Sequence, residues 1–505
     1  MLGRRAVCGA GLLLATGARS ARASKTDDTL RVTWRDTIPD LDPYRNQLRT
    51  GLALAFHVWD CLVDRDPQTF QLRPLLATTW RQTDDTTIAF ELRTGVRFHD
   101  GAPFGADDVV YTARSVLADD TLAVPGLFAW LAGAERVDET HVLLKLRQPF
   151  PAALEYLAVV LPILPCAYRE RVGAAGFSRA PVGTGPYRVA ALDGGERIAL
   201  ERFDDYFPDS PKGRPPIARI AIHEVADADA ELTDLLSDRA DWIWQIGPGQ
   251  FDAIAHQPGL QALRGDSMRL GYLSMDAAGR SAESAPLTRL KVRQAICHAL
   301  DRNAIAARLG PVAMRVPDTP CFPSQFGCDA AAAVRYPYDP AQSRALLSEA
   351  GYPDGFAADL VSYVLPEEGL AVRGYLQAVG IAAQLVQLPT SDALARASAG
   401  RAPLFLGSWG SYSINDVAAF LPQFFGGGPL DEARLPELQA LIARAGVTAD
   451  PDQRRVLYAQ AIRLITGQAL WLPTHTYAAT YGINRALNFR PSADEIPRFY
   501  LASWR

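Results

Sequence analysis

An α/β protein of two or more lobes is predicted by three observations. At 505 residues and 48% apolar, the chain can bury more core than one lobe usually holds. Between Leu72 and Leu117 the apolar period switches from two residues to 3.6, so strand and helix follow one another in a single stretch. Around Ser267 to Met275 the pattern changes register again, and a new lobe is expected to begin there.

The N-terminus reads as an export signal. Arg4 and Arg5 form a basic start, Ala6 to Ala18 a short apolar run, and Ala21-Arg22-Ala23 an A-x-A cleavage site, so the mature chain is expected from Ser24. A run of about 13 apolar residues is too short to span a bilayer. Gly3-Arg4-Arg5-Ala6 matches the twin-arginine signal poorly, and the export route stays open. Cleavage removes four of the 51 basic residues, leaving 47 against 56 acidic ones, a net charge of −9. With no basic cluster in the body of the chain, a nucleic-acid partner is not expected.

Thr29 to Pro43 reads as a strand and a loop, and Ala53 to Val63 as a helix. Ile88, Phe90 and Leu92 then alternate as in a half-buried strand, Thr94-Gly95 breaks the run, and Val96 and Phe98 resume it. Asp100-Gly101 supplies a tight turn. After Pro103, Val109, Val110, Ala113, Val116 and Leu117 share one helical face, with Asp107 and Asp108 in the first turn where carboxylates complement the dipole. Arg136 to Leu146 forms a second hairpin, and Pro149 to Leu161 a helix. Gly183 and Gly185 suit a loop leading to a strand from Tyr187 to Ala191. A glycine pair can also cradle phosphate, but no G-x-G-x-x-G follows.

Ile217 to Val225 is predicted as a strand, Ala228 to Asp238 as an amphipathic helix, and Asp241 to Gln245 as a strand. Leu290 to Ile305 reads as one helix. Asp339-Pro340 opens the next helix with an N-cap and an N1 proline, and Gly351 ends it. Leu376 to Leu388 is a helix and then a strand, Leu404 to Trp409 a short apolar strand, Pro451 to Gly467 a helix, and Leu470 to Tyr477 a returning strand. Cys321 and Cys328 flank a short loop in a chain bound for an oxidising compartment, and a disulfide is expected there, with two free thiols as the alternative. Cys61 and Cys297 sit in apolar patterns and read as core residues.

Several of these stretches together resemble the family 5 extracellular solute-binding proteins, receptors that feed ABC importers with peptides, nickel or opines. The first match runs through Pro74, Leu76, Ala77, Trp80, Asp84, Asp85, Phe90, Leu92, Arg93, Phe98, His99, Asp100, Gly101, Ala106, Asp108 and Val109. Gly105 departs from the Thr or Ser that commonly caps this helix, at a cost of a few tenths of a kcal/mol at most. Further matches are Pro181 to Val189, the helix with Val292, Arg293, Ala295, Ala299, Asp301 and Arg302, and the run Ala345 to Phe356. The resemblance covers nearly the whole mature chain.

It implies the type II periplasmic binding protein fold, two α/β lobes joined by two crossing segments with ligand enclosed between them. The expected division is 1–23 export signal; 24–59, 181–268 and 478–505 first lobe; 60–180 an extra subdomain; and 269–477 second lobe. The implied activity is capture of a peptide or similar small organic solute by lobe closure and delivery to a membrane permease. The protein would be a periplasmic monomer with no cofactor, and no bond would be broken. In peptide-binding relatives a Trp is followed three residues later by an Asp that pairs with the peptide's ammonium group. Trp409 matches that Trp, but Tyr412 replaces the Asp, so Asn415 or Asp416 would have to supply the polar contact. Asp416 can equally cap the helix that follows it. By the same resemblance Thr37, Ile38, Pro39, Trp244, Gln245, His475 and Tyr477 would face the cleft. Arg335, Arg373 and Arg401 are candidates to meet a ligand carboxylate. Two competing readings are the same fold holding nickel or a metal chelate, and a secreted hydrolase. Seven scattered histidines argue against a protein-made metal cage. The hydrolase would lack any G-x-S-x-G, H-E-x-x-H or P-loop motif.

Overall fold

The computed structural model describes residues 27–38, 40–46, 49–193 and 197–505; the expected export signal and Pro39 lie outside them. An eleven-stranded mixed sheet runs through both lobes. From one edge its strands are Ile381–Gln387, Phe356–Ser362, Leu404–Trp409, Leu260–Met275, Trp471–Asn484, Trp242–Trp244, Thr29–Trp34, Arg219–Glu224, Arg197–Arg202 and Tyr187–Asp193. Ala313–Arg315 pairs separately onto Trp471–Asn484.

The two long central strands are the crossing segments. Leu260 to Asp266 pairs with Asn484 to Ala478 beside Trp242–Trp244 of the first lobe, whereas Leu270 to Ser274 pairs with Thr476 to Trp471 beside Leu404–Trp409 of the second. Between Asp266 and Leu270 the register shifts. Such a bulge interrupts the ladder and bends the strand, and this one falls where the sequence changes its pattern. The returning strand runs on to Asn484, seven residues beyond the predicted end, because the first lobe offers it a second partner.

The stretch from Leu72 to Leu117 and the hairpin that follows it build a separate four-stranded sheet, Ala77–Asp84, Thr87–Leu92, His141–Leu146 and Leu131–Arg136, against the helix Ala106–Ala118. Ile88, Phe90 and Leu92 are buried, as their alternation requires. On the helix Val109, Ala113 and Val116 are buried, while Val110 and Leu117 are only half-buried. Asp108 compensates for Gly105: its carboxylate accepts from Gly105 N at 2.9 Å and from Cys166 N at 2.8 Å.

The glycine pair has a packing explanation. A Cβ on Gly183 would lie 2.0 Å from the Val58 carbonyl oxygen, and one on Gly185 2.5 Å from that of His57. His99 fastens this loop, accepting from Gly183 N at Nδ1 and meeting the Gly185 carbonyl through Nε2 at 2.9 Å. Two motifs whose contacting residues are 84 and 86 positions apart in the chain are thus one contact, and burial pushes the His99 imidazole down to about 4, which keeps it neutral.

Other elements differ from the sequence reading. The segment 290–305 forms two helices, Leu290–Ala299 and Arg302–Leu309, because Leu300 is extended and Asp301 caps the second by accepting from Ala304 N. Arg302 donates to the Pro317 and Pro473 carbonyls and pairs with Asp318, a packing role. The helices Cys166–Arg179 and Pro248–Ala255 were not predicted; the first buries only Arg169 and Phe177 and the second only Ile254, so neither carries an amphipathic stripe. Cys321 and Cys328 are joined by a disulfide. No helix among the described residues is long and apolar enough to cross a membrane.

Glu432 gives the second lobe a pH dependence. It is buried, its Oε2 has no hydrogen-bond partner, and Arg280 Nη2 stands 3.5 Å from its Oε1. Burial pushes this carboxyl from 4.5 up to about 8. A folded pKa raised in this way contributes stability below pH 4.5 that is lost as pH climbs through about 8. Glu432→Gln should therefore leave the melting temperature near pH 4.5 almost unchanged. At pH 8.5 it should stabilise the protein by on the order of 1–3 kcal/mol. Equal shifts at both pH values would mean that Glu432 titrates normally.

Candidate functional site

Where the crossing strands pass between the lobes they wall a cavity of about 390 Å³. The first lobe contributes Arg35, Arg49, Trp244, Gln245 and Glu495; the crossing strands contribute Arg269 and the run from Tyr477 to Tyr481; Val312 and Leu365 close the far side. Its size suits a small organic molecule.

Each wall is positioned by local chemistry. Trp244 is held by Trp34 and Trp242, with ring centroids 6.3 and 5.5 Å away. Gln245 takes a left-handed backbone, φ 50°, and its carbonyl accepts from Arg35 Nη2 at 3.1 Å. Arg35 also pairs with Glu231. Tyr477 donates its hydroxyl to buried Glu368 at 2.7 Å, and Thr474 donates to the same carboxylate at 3.2 Å. Burial pushes Glu368 up to about 7 despite both bonds.

The arginines converge on one carboxylate. Glu495 accepts from Arg49 Nη2 at 3.1 Å and from Arg269 Nε at 3.4 Å. Burial opposes its charge, but Arg269 and Arg49 outweigh that and hold the carboxyl below its usual range. Arg269 is raised by Glu495, and Arg49 is lowered by burial. Arg49 further donates to Asp494 O at 3.0 Å and to Ser413 Oγ.

The sequence-predicted residues divide between several places. Trp244, Gln245 and Tyr477 line this cavity. Thr37 is exposed and donates to Glu224 Oε1 at 2.7 Å; Ile38 is buried in the first-lobe core. Trp409 and Tyr412 form an edge-to-face pair at 5.0 Å, and Trp409 packs on Phe424 at 5.2 Å, outside the cavity lining. Asn415 lines a different cavity of about 560 Å³ with Glu155, Ser324 and Cys328; its Oδ1 accepts from Ser324 at 3.0 Å. Asp416 accepts from Ala418 N at 2.8 Å and pairs with Arg454, also at 2.8 Å, in a buried contact, so its carboxylate is committed to capping and packing. His475 is fully buried behind Tyr477, neither ring nitrogen has a hydrogen-bond partner, and burial takes it down to about 4. Arg335 pairs with Asp318 at the surface, and neither it, Arg373 nor Arg401 lines the cavity.

Between the cavities lies a strained turn. Ser411, Tyr412 and Ser413 take φ of 53°, 48° and 65°, three consecutive left-handed residues with side chains. Gln325 donates to Ser411 Oγ at 2.9 Å, and Arg65 to the Ser413 carbonyl at 2.6 Å. The residues missed in sequence, Arg49, Arg269 and Glu495, come from three distant segments. Arg269 alone had a signal, its place in the stretch of changing register. No group of three or more His, Cys, Asp or Glu that could hold a metal occurs among the described residues.

Comparison with known proteins agrees with this architecture. The chain is 27% identical to the glutathione-binding protein GsiB of Salmonella paratyphi A over 455 residues, 86% of each chain. It is 26% identical to heme-binding protein A of Haemophilus influenzae, over 83% of this chain and 82% of that one. Among solved structures, HbpA2 of Haemophilus parasuis matches with TM-score 0.80 at 22% identity, covering 94% of this chain and all of that one. The periplasmic binding protein DppA of Helicobacter pylori, solved with the peptide STSA, matches with TM-score 0.77 at 19% identity, over 94% and 98%. The model of the bacterial extracellular solute-binding proteins, family 5, middle region, matches residues 71–431, which is most of the chain, and the protein therefore belongs to that family.

Proposed function

We propose that the protein is the capture component of an ABC importer, enclosing a peptide or similar small organic solute in the cavity between its lobes. The cavity itself carries this reading: an aromatic wall at Trp244 and Tyr477 faces a few aimed polar groups, and both crossing strands border it. Closure and release turn on the register shift between Asp266 and Leu270, a hinge motion in which no bond breaks. The segment from Arg4 to Ala23 supports export, so capture takes place in the periplasm and a membrane permease receives the solute. The relatives named for glutathione and the structure solved with a peptide support an organic solute with peptide-like groups.

Native mass spectrometry of the gently purified exported protein tests this reading. A bound mass released on denaturation and identified as a peptide or small organic acid is expected. Saturable rebinding of that compound to the emptied protein, without turnover, completes the assignment. Conversion of the compound to a product would instead favour an enzyme.

A further inference from the structure

We propose that Arg269 and Arg49 form an anion subsite within the cavity that holds a carboxylate of the solute. This inference rests on the capture reading above and names the chemical class of what is captured. Three observations carry it.

The first is the charge balance. Three arginines line the cavity and Glu495 is the single acidic side chain among the described residues that does so. Arg35 is answered from outside the lining by Glu231. Arg49 and Arg269 must share Glu495, which leaves one positive charge facing the cavity without a counterion. Glu368, the next carboxyl behind the wall, spends its oxygens on Tyr477 and Thr474.

The second is unused donor capacity. Arg269 reaches Glu495 through Nε alone, at 3.4 Å, and its Nη1 and Nη2 make no hydrogen bond among the described residues. A guanidinium offers five N–H donors in a planar fork, and its natural complement is a carboxylate accepting two of them. The Arg269 side chain keeps 34% of its surface accessible, so the fork opens into the cavity and is not packed away.

The third is convergence. The point where a Gly410 Cβ would stand is 3.2 Å from Arg49 Nη2 and 3.3 Å from Arg269 Nη2. Both terminal nitrogens thus converge over the Gly410 backbone, which only a residue without a side chain allows, and one carboxylate on their cavity side can accept from both. Arg269 belongs to the register shift of the crossing strand: Ser267 Oγ accepts from Arg269 N at 3.1 Å and donates to the Tyr477 carbonyl at 2.7 Å. A carboxylate on Arg269 is therefore bonded to the hinge, which couples ligand charge to closure.

Isothermal titration of the emptied exported protein tests the subsite, using free acids paired with their neutral forms: Met-Leu with Met-Leu amide, and glutathione with its diethyl ester. The compound released in native mass spectrometry joins the panel with its amide or ester. An acid that binds should bind at least about tenfold more tightly than its neutral partner. Arg269→Gln should remove most of that preference and Arg269→Lys should retain part of it, while both unliganded variants melt close to the parent. An amide or ester that binds as tightly as the acid overturns the subsite and leaves the capture reading intact. The same holds if Arg269→Gln keeps the full acid preference, or if the released compound carries no acidic group. No saturable binding of any probe, together with no released compound, overturns the capture reading and the subsite with it.

Discussion

Asp494→Ala is expected to cost about 3–5 kcal/mol of folding free energy, measured by urea denaturation of the unliganded protein. Its side chain is fully buried between Arg65 at 2.9 Å and Arg498 at 2.7 Å, themselves 1% and 4% accessible. Ile496 N donates to the same carboxylate at 3.3 Å. Removing it leaves two guanidinium groups in a dry interior with one fewer counter-charge, and Arg65 keeps only Glu155 and the Ser413 carbonyl. Asp494→Asn preserves the shape and should fall between parent and alanine variant. Burial works against the charge, but Arg498 and then Arg65 overcome it and hold the carboxyl well below 3.8. A depressed folded pKa contributes stability above the unfolded value and loses it as pH falls, so the gap between parent and variant should be complete above pH 3.8 and narrow below it. A cost under about 1 kcal/mol at pH 7 would show that desolvation of the cluster cancels its pairing.

Lys212→Met should be of the same order, about 3–5 kcal/mol, and for a related reason. The ammonium lies 2.7 Å from Asp60 Oδ1, with side-chain exposures of 3% and 0%. It also donates to the Phe56 and Trp59 carbonyls at 2.8 and 3.2 Å, at the C-terminus of the helix Arg49–Val58, where a cation complements the dipole. Methionine fills similar volume but leaves Asp60 with only the hydroxyls of Thr184 and Tyr206. The double variant Lys212→Met, Asp60→Leu separates the two contributions. It should recover much of the loss if the cost comes from an orphaned charge, and none if it comes from the lost helix-end contacts. Both variants act on the first lobe, so intrinsic tryptophan fluorescence of Trp34, Trp242 and Trp244 should follow the transition.

The two stability sites and the anion subsite share one part of the molecule. Arg49 opens the helix that Lys212 closes, and it donates to the carbonyl of Asp494 beside Glu495. The C-terminal segment from Asp494 to Arg498 thus supplies the core of the first lobe and the acidic partner of the cavity from adjacent residues. Arg65 donates both to the Asp494 carboxylate at 2.9 Å and to the Ser413 carbonyl at 2.6 Å, so Asp494→Ala should also loosen the strained turn at Ser411 to Ser413.

The elements whose burial repeats at a fixed period were legible in the sequence. Ile88, Phe90 and Leu92 announce a strand, and the apolar strand from Leu404 to Trp409 and the helix from Pro451 to Gly467 fall where the sequence places them. Motif order was legible too, and with it the family. Local rules reached as far as the cap of Asp339 and left Asp416 between capping and binding; the second was resolved by Arg454, 38 residues away. Helices without an amphipathic stripe, such as Cys166–Arg179, escaped the reading because their packing leaves no period to detect.

What the sequence by itself determined is the α/β character, the switch of register near Ser267 and membership of the family, because each depends on patterns within a short window. What only the tertiary structure decided is which charges meet. Arg49, Arg269 and Glu495 lie more than 200 residues apart from one to the next, and Lys212 finds Asp60 across 152 positions. An isolated arginine looks the same in sequence whether it faces water, as Arg335 does, or a cavity. Electrostatic pairing depends on distance and burial, and only the folded chain sets those.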